Sequence, residues 1–322
     1  MFVKRTIGIC ITGLAFLSVS AIAQTVASMP GRMEIHALQS KTLSGEDFLT
    51  NPSAGTPVTL AGELRLPQGS QGRYPAVILV HGSGGVAGST DLWVHRLNEA
   101  GIAAFVLDTF SGRGIVSTVA DQSQLHSLAM MVDTYRALDL LAKHPRIDAQ
   151  RISVMGFSKG AVSSIFSSST RFKKMYGSNA RFAAHIGLYT PCNSRLLGDT
   201  EVTGAPMRFF HGTTDDYVSV VPCRTFVQEL KQKGADASLT EFPDTDHAYD
   251  NPLTSKRLAL PAAESTRNCM VMESKLGQFI NAKTGAAFSL KDSCVEKGTH
   301  IGHNPESTAL TIKAVVEFLQ KI

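Results

Sequence analysis

The sequence predicts an α/β protein with a mostly parallel central sheet and helices on both faces. Short apolar runs alternate with helical patterns from about residue 57 to residue 242. Some of those runs, such as Ala76 to Val80, are apolar without interruption, as strands buried on both faces are. A Gly-x-Ser-x-Gly pentapeptide, Gly156 to Gly160, sits between one such run and a helical pattern.

Val58 to Leu66 reads as an early strand ended by Pro67, and Ala76 to Val80 as the next. A helix follows through Leu92 to Ala100 and is closed by Gly101. Ile102 to Leu107 is the next buried strand. Gln122 to Leu141 has helical spacing of Leu, Met and Ala. Ile152 to Met155 is a strand that leads into a helix from Ser158 to Phe166. Ala183 to Leu188 and Met207 to Phe210 are strands, Val218 to Lys233 a helix, and Ser238 to Phe242 the last strand. The closing helix is Thr308 to Lys321. No internal repeat or Pro/Ser-rich linker divides the chain, so residues 24–322 are expected to form one domain. Ala248 to Pro305 is too long for a structureless loop and is expected to be a folded insertion before the last helix.

The N-terminus reads as a leader. Lys4 and Arg5 precede an apolar run from Ile7 to Val19, and Ala21-Ile22-Ala23 offers a small-x-small cleavage site. Residues 1–23 are therefore expected to be a signal peptide, with Gln24 the first mature residue and a periplasmic or secreted destination. An uncleaved anchor is the competing reading, but the run is short for a span of about 20 apolar residues. Cys10 lies inside the run, which argues against a lipid anchor after it.

Lys+Arg is 31 against 27 Asp+Glu, and no basic block could track a phosphate backbone, which argues against a nucleic-acid partner. Four cysteines follow the leader. In an oxidising compartment they suggest two disulfides among three connectivities, unless some remain buried thiols. The expected pairs are Cys269–Cys294, stapling the insertion, and Cys192–Cys223.

The chemistry lies in four motifs. A serine on a sharp strand-to-helix turn needs small neighbours and gains from the helix N-terminus beneath it, which makes Ser158 the candidate nucleophile. His81-Gly82-Ser83-Gly84-Gly85 follows the strand Ala76–Val80, and its bend can aim a backbone N–H at the nucleophile. The N–H groups of Ser83 and Lys159 are the expected oxyanion hole. Asp215, in His211-Gly212-Thr213-Thr214-Asp215-Asp216, stands just past a strand end, with Asp216 the fallback. His247 lies in the loop after the last strand, with His300 and His303 as rival bases. The His-x-x-His spacing of the rivals also permits a metal reading, but no third ligand is placed, and no metal or cofactor is expected. The order Ser…Asp…His is that of the α/β-hydrolase fold.

With these motifs in place, residues 57 to 320 resemble the dienelactone hydrolase family. Asp108-Thr109-Phe110-Ser111-Gly112-Arg113-Gly114 resembles that family's Asp-Ser-Phe-x-x-Arg-Gly stretch. Cys294 with His300-Ile301-Gly302-His303-Asn304 resembles exported members with an extended C-terminal insertion. The founding enzymes use cysteine where this chain has Ser158, which shifts the expected substrate from their lactone toward simple esters. Arg113 is expected either to contact an anionic substrate group or to hold its loop through an ion pair, with Asp108 as a candidate partner. Trp93, the one tryptophan, reads as helix–sheet packing. The function predicted is cofactor-free hydrolysis of a small-molecule ester or lactone through an acyl-enzyme. Peptidase or acyltransferase chemistry, or a non-catalytic binding protein on this fold, are the competing readings.

Overall fold

Alternation along one strand sets the layers. The structure, a computed structural model, describes residues 32–69, 72–254 and 256–322. The expected leader, residues 1–23, and the expected start at Gln24 lie outside the described residues. The N-terminal elements are β1 (Met33–Thr42), α1 (Gly45–Thr50), β2 (Thr56–Arg65), β3 (Tyr74–Val80), α2 (Gly88–Glu99) and β4 (Ala103–Asp108). Then come α3 (Ala129–Leu141), β5 (Ile147–Phe157), α4 (Lys159–Phe166), α5 (Thr170–Tyr176), β6 (His185–Leu188), β7 (Ser194–Arg195) and β8 (Met207–Gly212). The chain closes with α6 (Val221–Gln232), β9 (Ala237–Phe242), β10 (Leu258–Ser265), β11 (Val271–Lys275), β12 (Gln278–Asn281), β13 (Glu296–Ile301) and α7 (Pro305–Leu319).

In β3, Ala76, Ile78 and Val80 pack on one face with α3, α4 and α6. Val77 and Leu79 point the other way, onto Trp93 and Leu97 of α2 and Val315 and Leu319 of α7. Both faces are therefore covered, and an uninterrupted apolar run is what such a strand requires. The eight-stranded sheet runs β1-β2-β4-β3-β5-β6-β8-β9. Pairing is parallel from β4 through β9 and antiparallel at β1–β2 and β2–β4. The parallel strands thus deliver their C-terminal ends to one edge, where an open α/β sheet holds its ligand.

Several elements differ from the sequence expectation. β1, α1 and α5 were not anticipated; β1 is a half-exposed edge strand whose mixed polarity hides its pairing with β2. The helix expected from Gln122 begins only at Ala129. Gln122–Gln124 makes only a short 3-10 turn, because Leu125 is extended (φ −151°, ψ 122°) and the Gln122 carbonyl accepts from Lys159 Nζ at 3.2 Å. The insertion folds into two small sheets, β10–β13 and β12–β11–β7. Cys269–Cys294 closes it, and Cys192–Cys223 ties the segment before β7 to α6 (Cα–Cα 5.1 and 5.0 Å), the two expected pairs. No helix among the described residues is long and apolar enough to cross a membrane.

Candidate active site

Ser158 stands between β5 and α4 with φ 52° and ψ −117°, a left-handed conformation that a non-glycine residue holds only when its surroundings impose it. The surroundings are tight. A Cβ at Gly156 would lie 2.2 Å from the Gly160 carbonyl oxygen, and one at Gly160 2.2 Å from that of Val80. Glycine at both positions lets the elbow close, and the Ser158 N–H then anchors to the Leu188 carbonyl at 3.1 Å.

The loops after β8 and β9 bring two further side chains to this edge. Ser158 Oγ and His247 Nε2 are 2.9 Å apart. His247 Nδ1 is 2.7 Å from Asp215 Oδ2. Because the carboxylate accepts at Nδ1, the neutral imidazole carries its proton there and leaves Nε2 to accept from the serine hydroxyl. Asp215 Oδ1 accepts from the N–H groups of Tyr217 and Val218 at 2.9 and 2.8 Å. Burial alone raises its pKa, but His247 and His211 outweigh that and hold the carboxyl well below its ordinary range. The imidazole is packed between Tyr189 and Tyr217, with ring centroids at 4.6 and 4.8 Å. All three expected residues converge.

Asp216 and His300, the fallback carboxylate and a rival base, pair with each other instead, His300 Nδ1 lying 2.7 Å from Asp216 Oδ2. Trp93 is fully buried, and its Nε1–H donates to Asp250 at 2.7 Å.

The Gly-rich bend is fixed by His81, whose Nδ1 lies 2.8 Å from the Gly82 carbonyl oxygen while its Nε2 accepts from the Thr109 N–H at 3.1 Å. Neither the Ser83 nor the Lys159 N–H donates to another described residue. The second is one of the unmatched N–H groups that every helix start carries. The Ser83 carbonyl is turned onto the Thr118 N–H at 2.8 Å. Its hydroxyl is held by Gln122, which also receives Lys159 Nζ at 3.1 Å. Burial lowers the Lys159 pKa from 10.5 to about 8, with Asp121 and Glu264 opposing. Sequence reasoning missed Gln122, which carries no motif, and Glu264, which joins the network from the insertion through the Gln122 N–H at 2.9 Å.

Arg113 is not a substrate contact. Its five N–H donors are spent on Thr42, Lys41, Thr109 and both oxygens of Asp133, and its side chain is 4% exposed. The ion-pair alternative is the correct one, but the partner is Asp133 in α3. Asp108 instead accepts from the N–H groups of Phe110 and Ser111.

A cavity of about 640 Å³ opens at Ser158, within the usual span of small-molecule pockets. Val162 and Phe166 of α4 line it together with Val271, Phe279, Phe288 and Leu290 of the insertion. Among the described residues, one group has the donors for a metal: Glu34, His36 and His144. His144 Nδ1 accepts from the Arg146 N–H, so its proton sits on Nε2, facing Glu34 at 3.0 Å, where a metal would need a lone pair. Arg32 also pairs with Glu34. The arrangement is that of an ion cluster.

The dienelactone hydrolase family matches residues 60–279. The chain belongs to the dienelactone hydrolase family. Among solved structures it is similar to a dienelactone hydrolase-like promiscuous phosphotriesterase from metagenomic libraries, at 15% identity and TM-score 0.57, over 90% of this chain and 99% of that one. It is also similar to esterase 2 of Thermogutta terrifontis, at 16% identity and TM-score 0.50, over 67% of this chain and 86% of that one. At such identities the likeness shows a shared fold. No curated protein matches the sequence. Membership makes this dienelactone hydrolase relative a carboxylic ester hydrolase acting on small molecules.

Proposed function

We propose that Ser158 is the nucleophile, His247 the general base and Asp215 its orienting partner in hydrolysis of small carboxylic esters or lactones. The observation that carries this is the continuous relay from Ser158 Oγ through His247 to Asp215, at 2.9 and 2.7 Å. His247 Nε2 takes the hydroxyl proton as Oγ attacks the carbonyl carbon. The resulting oxyanion rests on the Ser83 and Lys159 N–H groups. His247 returns the proton to the departing alcohol oxygen, leaving an acyl-enzyme. Water, deprotonated by the same imidazole, then releases the acid. These steps use the chain's own side chains and backbone.

The leader-like N-terminus, together with two disulfides closed in the folded chain, supports a periplasmic or secreted mature domain of residues 24–322. A fluorophosphonate probe tests the nucleophile: it should modify Ser158 stoichiometrically, and Ser158→Ala should be folded, unlabelled and inactive. Labelling elsewhere, or none in the folded wild type, would overturn the reading and favour a binding protein.

A further inference from the structure

His126 lines the same cavity as Ser158 and takes no part in the relay. Its ring stacks on Phe279 of β12, centroids 5.7 Å apart at 26°. Its Nδ1 accepts from the Leu128 N–H at 3.2 Å, which places the proton of the neutral ring on Nε2. That Nε2–H has no acceptor among the described residues. The ring is exposed on the cavity side, and an imidazole is mostly neutral at about pH 7 even at its ordinary pKa, so the Nε2–H donor form prevails there. Space is reserved for it: a Cβ at Gly45 would come within 2.9 Å of Cδ2 and Nε2.

We propose that His126 is a specificity-determining residue, and that the cavity takes esters whose larger apolar group is aromatic and carries an oxygen acceptor for the Nε2–H. This inference rests on Ser158 being the nucleophile. The apolar side chains set the class of group: Phe166, Phe279 and Phe288 line the cavity, and a volume of about 640 Å³ far exceeds an acetyl group. An N–H donor set beside such aromatic side chains discriminates, because an apolar group opposite it leaves the donor unpaired. His126 thus separates an oxygen-bearing aromatic acid from its plain counterpart.

The test compares nitrophenyl esters of 3-phenylpropanoic acid and of its 2-, 3- and 4-methoxy derivatives. The wild type should prefer at least one methoxy isomer by about fivefold to tenfold in kcat/KM. His126→Phe keeps a ring on Phe279 but removes the donor, and should bring that ratio to within about twofold of unity. Gly45→Ala, which displaces the imidazole without altering it, should lower the ratio as well. No methoxy preference in the wild type, or a preference retained in His126→Phe, overturns the inference. Fluorophosphonate labelling of Ser158 in each protein separates the two readings. If Ser158 labels and the esters are cleaved without preference, only the role of His126 fails. If Ser158 does not label, the nucleophile assignment fails.

Discussion

His300 and Asp216 form a clamp: the His300 backbone N–H donates to Oδ1 at 2.8 Å, and Nδ1 lies 2.7 Å from Oδ2. Adjacent carboxylates thus face opposite tasks, Asp215 toward His247 and Asp216 toward β13. Ser158→Ala and His247→Ala should each cost on the order of a million-fold in turnover. Asp215→Asn should cost about ten-thousand-fold, because the imidazole loses its orienting partner. Asp216→Asn and His300→Ala, which disturb a half-exposed pair, should stay within about tenfold of wild type. Steady-state turnover of a nitrophenyl ester, with circular dichroism as the folding control, ranks all five. A severe Asp216→Asn beside a mild Asp215→Asn would reverse the assignment.

Arg113 and Asp133 predict a stability effect without a specificity effect. Burial pushes the Asp133 carboxyl up, and its bonds to Arg113 and Ser40 only partly offset this. Such a pair contributes little net stability, yet removing one partner strands the other charge. Arg113→Met should therefore lower unfolding free energy by about 3–5 kcal/mol in urea titration. The ratio of KM for neutral and anionic esters should not move. A changed ratio at unchanged stability would return Arg113 to the substrate.

The Cys269–Cys294 bridge encloses Val271, Phe279, Phe288 and Leu290, all of which line the cavity. Cys269→Ser with Cys294→Ser should cost about 3 kcal/mol, as loop closure at this separation predicts. KM should rise more for aryl esters than for acetate, since the wall that contacts the larger group is loosened. Equal changes for both substrates would mean that the bridge acts on the fold alone.

Lys159 gives a pH-dependent difference. Its pKa falls from 10.5 to about 8 on folding, so between those values the unfolded chain holds more protons at this site. Stability from this group therefore rises with pH across that window, by up to about 1.4 kcal/mol per unit. Lys159→Met lacks the penalty at pH 7. Its stability relative to wild type should drop by about 2 kcal/mol between pH 7 and pH 10. Urea unfolding of both proteins at four pH values measures this, and a constant difference would mean the amine is not desolvated.

What was legible in the sequence was what is encoded locally. Gly156-x-Ser158-x-Gly160 reports its own turn, because two specific close approaches forbid any Cβ. Asp215 and His247 each follow a strand at the edge where Ser158 must emerge. The ion pair of Arg113 was legible but its partner was not, because Asp133 lies in α3 and nothing near Arg113 in sequence announces it. The false helix start at Gln122 has the same origin. Its backbone is claimed by Lys159, a contact visible only in three dimensions. The strands inside the insertion escaped because β10 is largely apolar without alternation and interrupted by Pro261, while β11 has only five residues, and both are largely exposed. His126 was hidden with it, since its stacking partner lies in β12.

The loop that presents His247 is pinned from the far end of the chain. Asn304 and Ser307, at the start of α7, hydrogen-bond the Thr245 hydroxyl at 3.0 and 2.8 Å, and the Gly302 N–H donates to the His247 carbonyl at 3.0 Å. The elbow of Ser158 is held by β5, α4 and β6, whereas the loop of His247 is held by the start of α7. The position of His247 therefore depends on the docking of α7, a helix that lies beyond the whole insertion in sequence. On the proposed relay, loosening α7 would free the imidazole while leaving Ser158 in its elbow, so helix docking and proton transfer are coupled through Thr245.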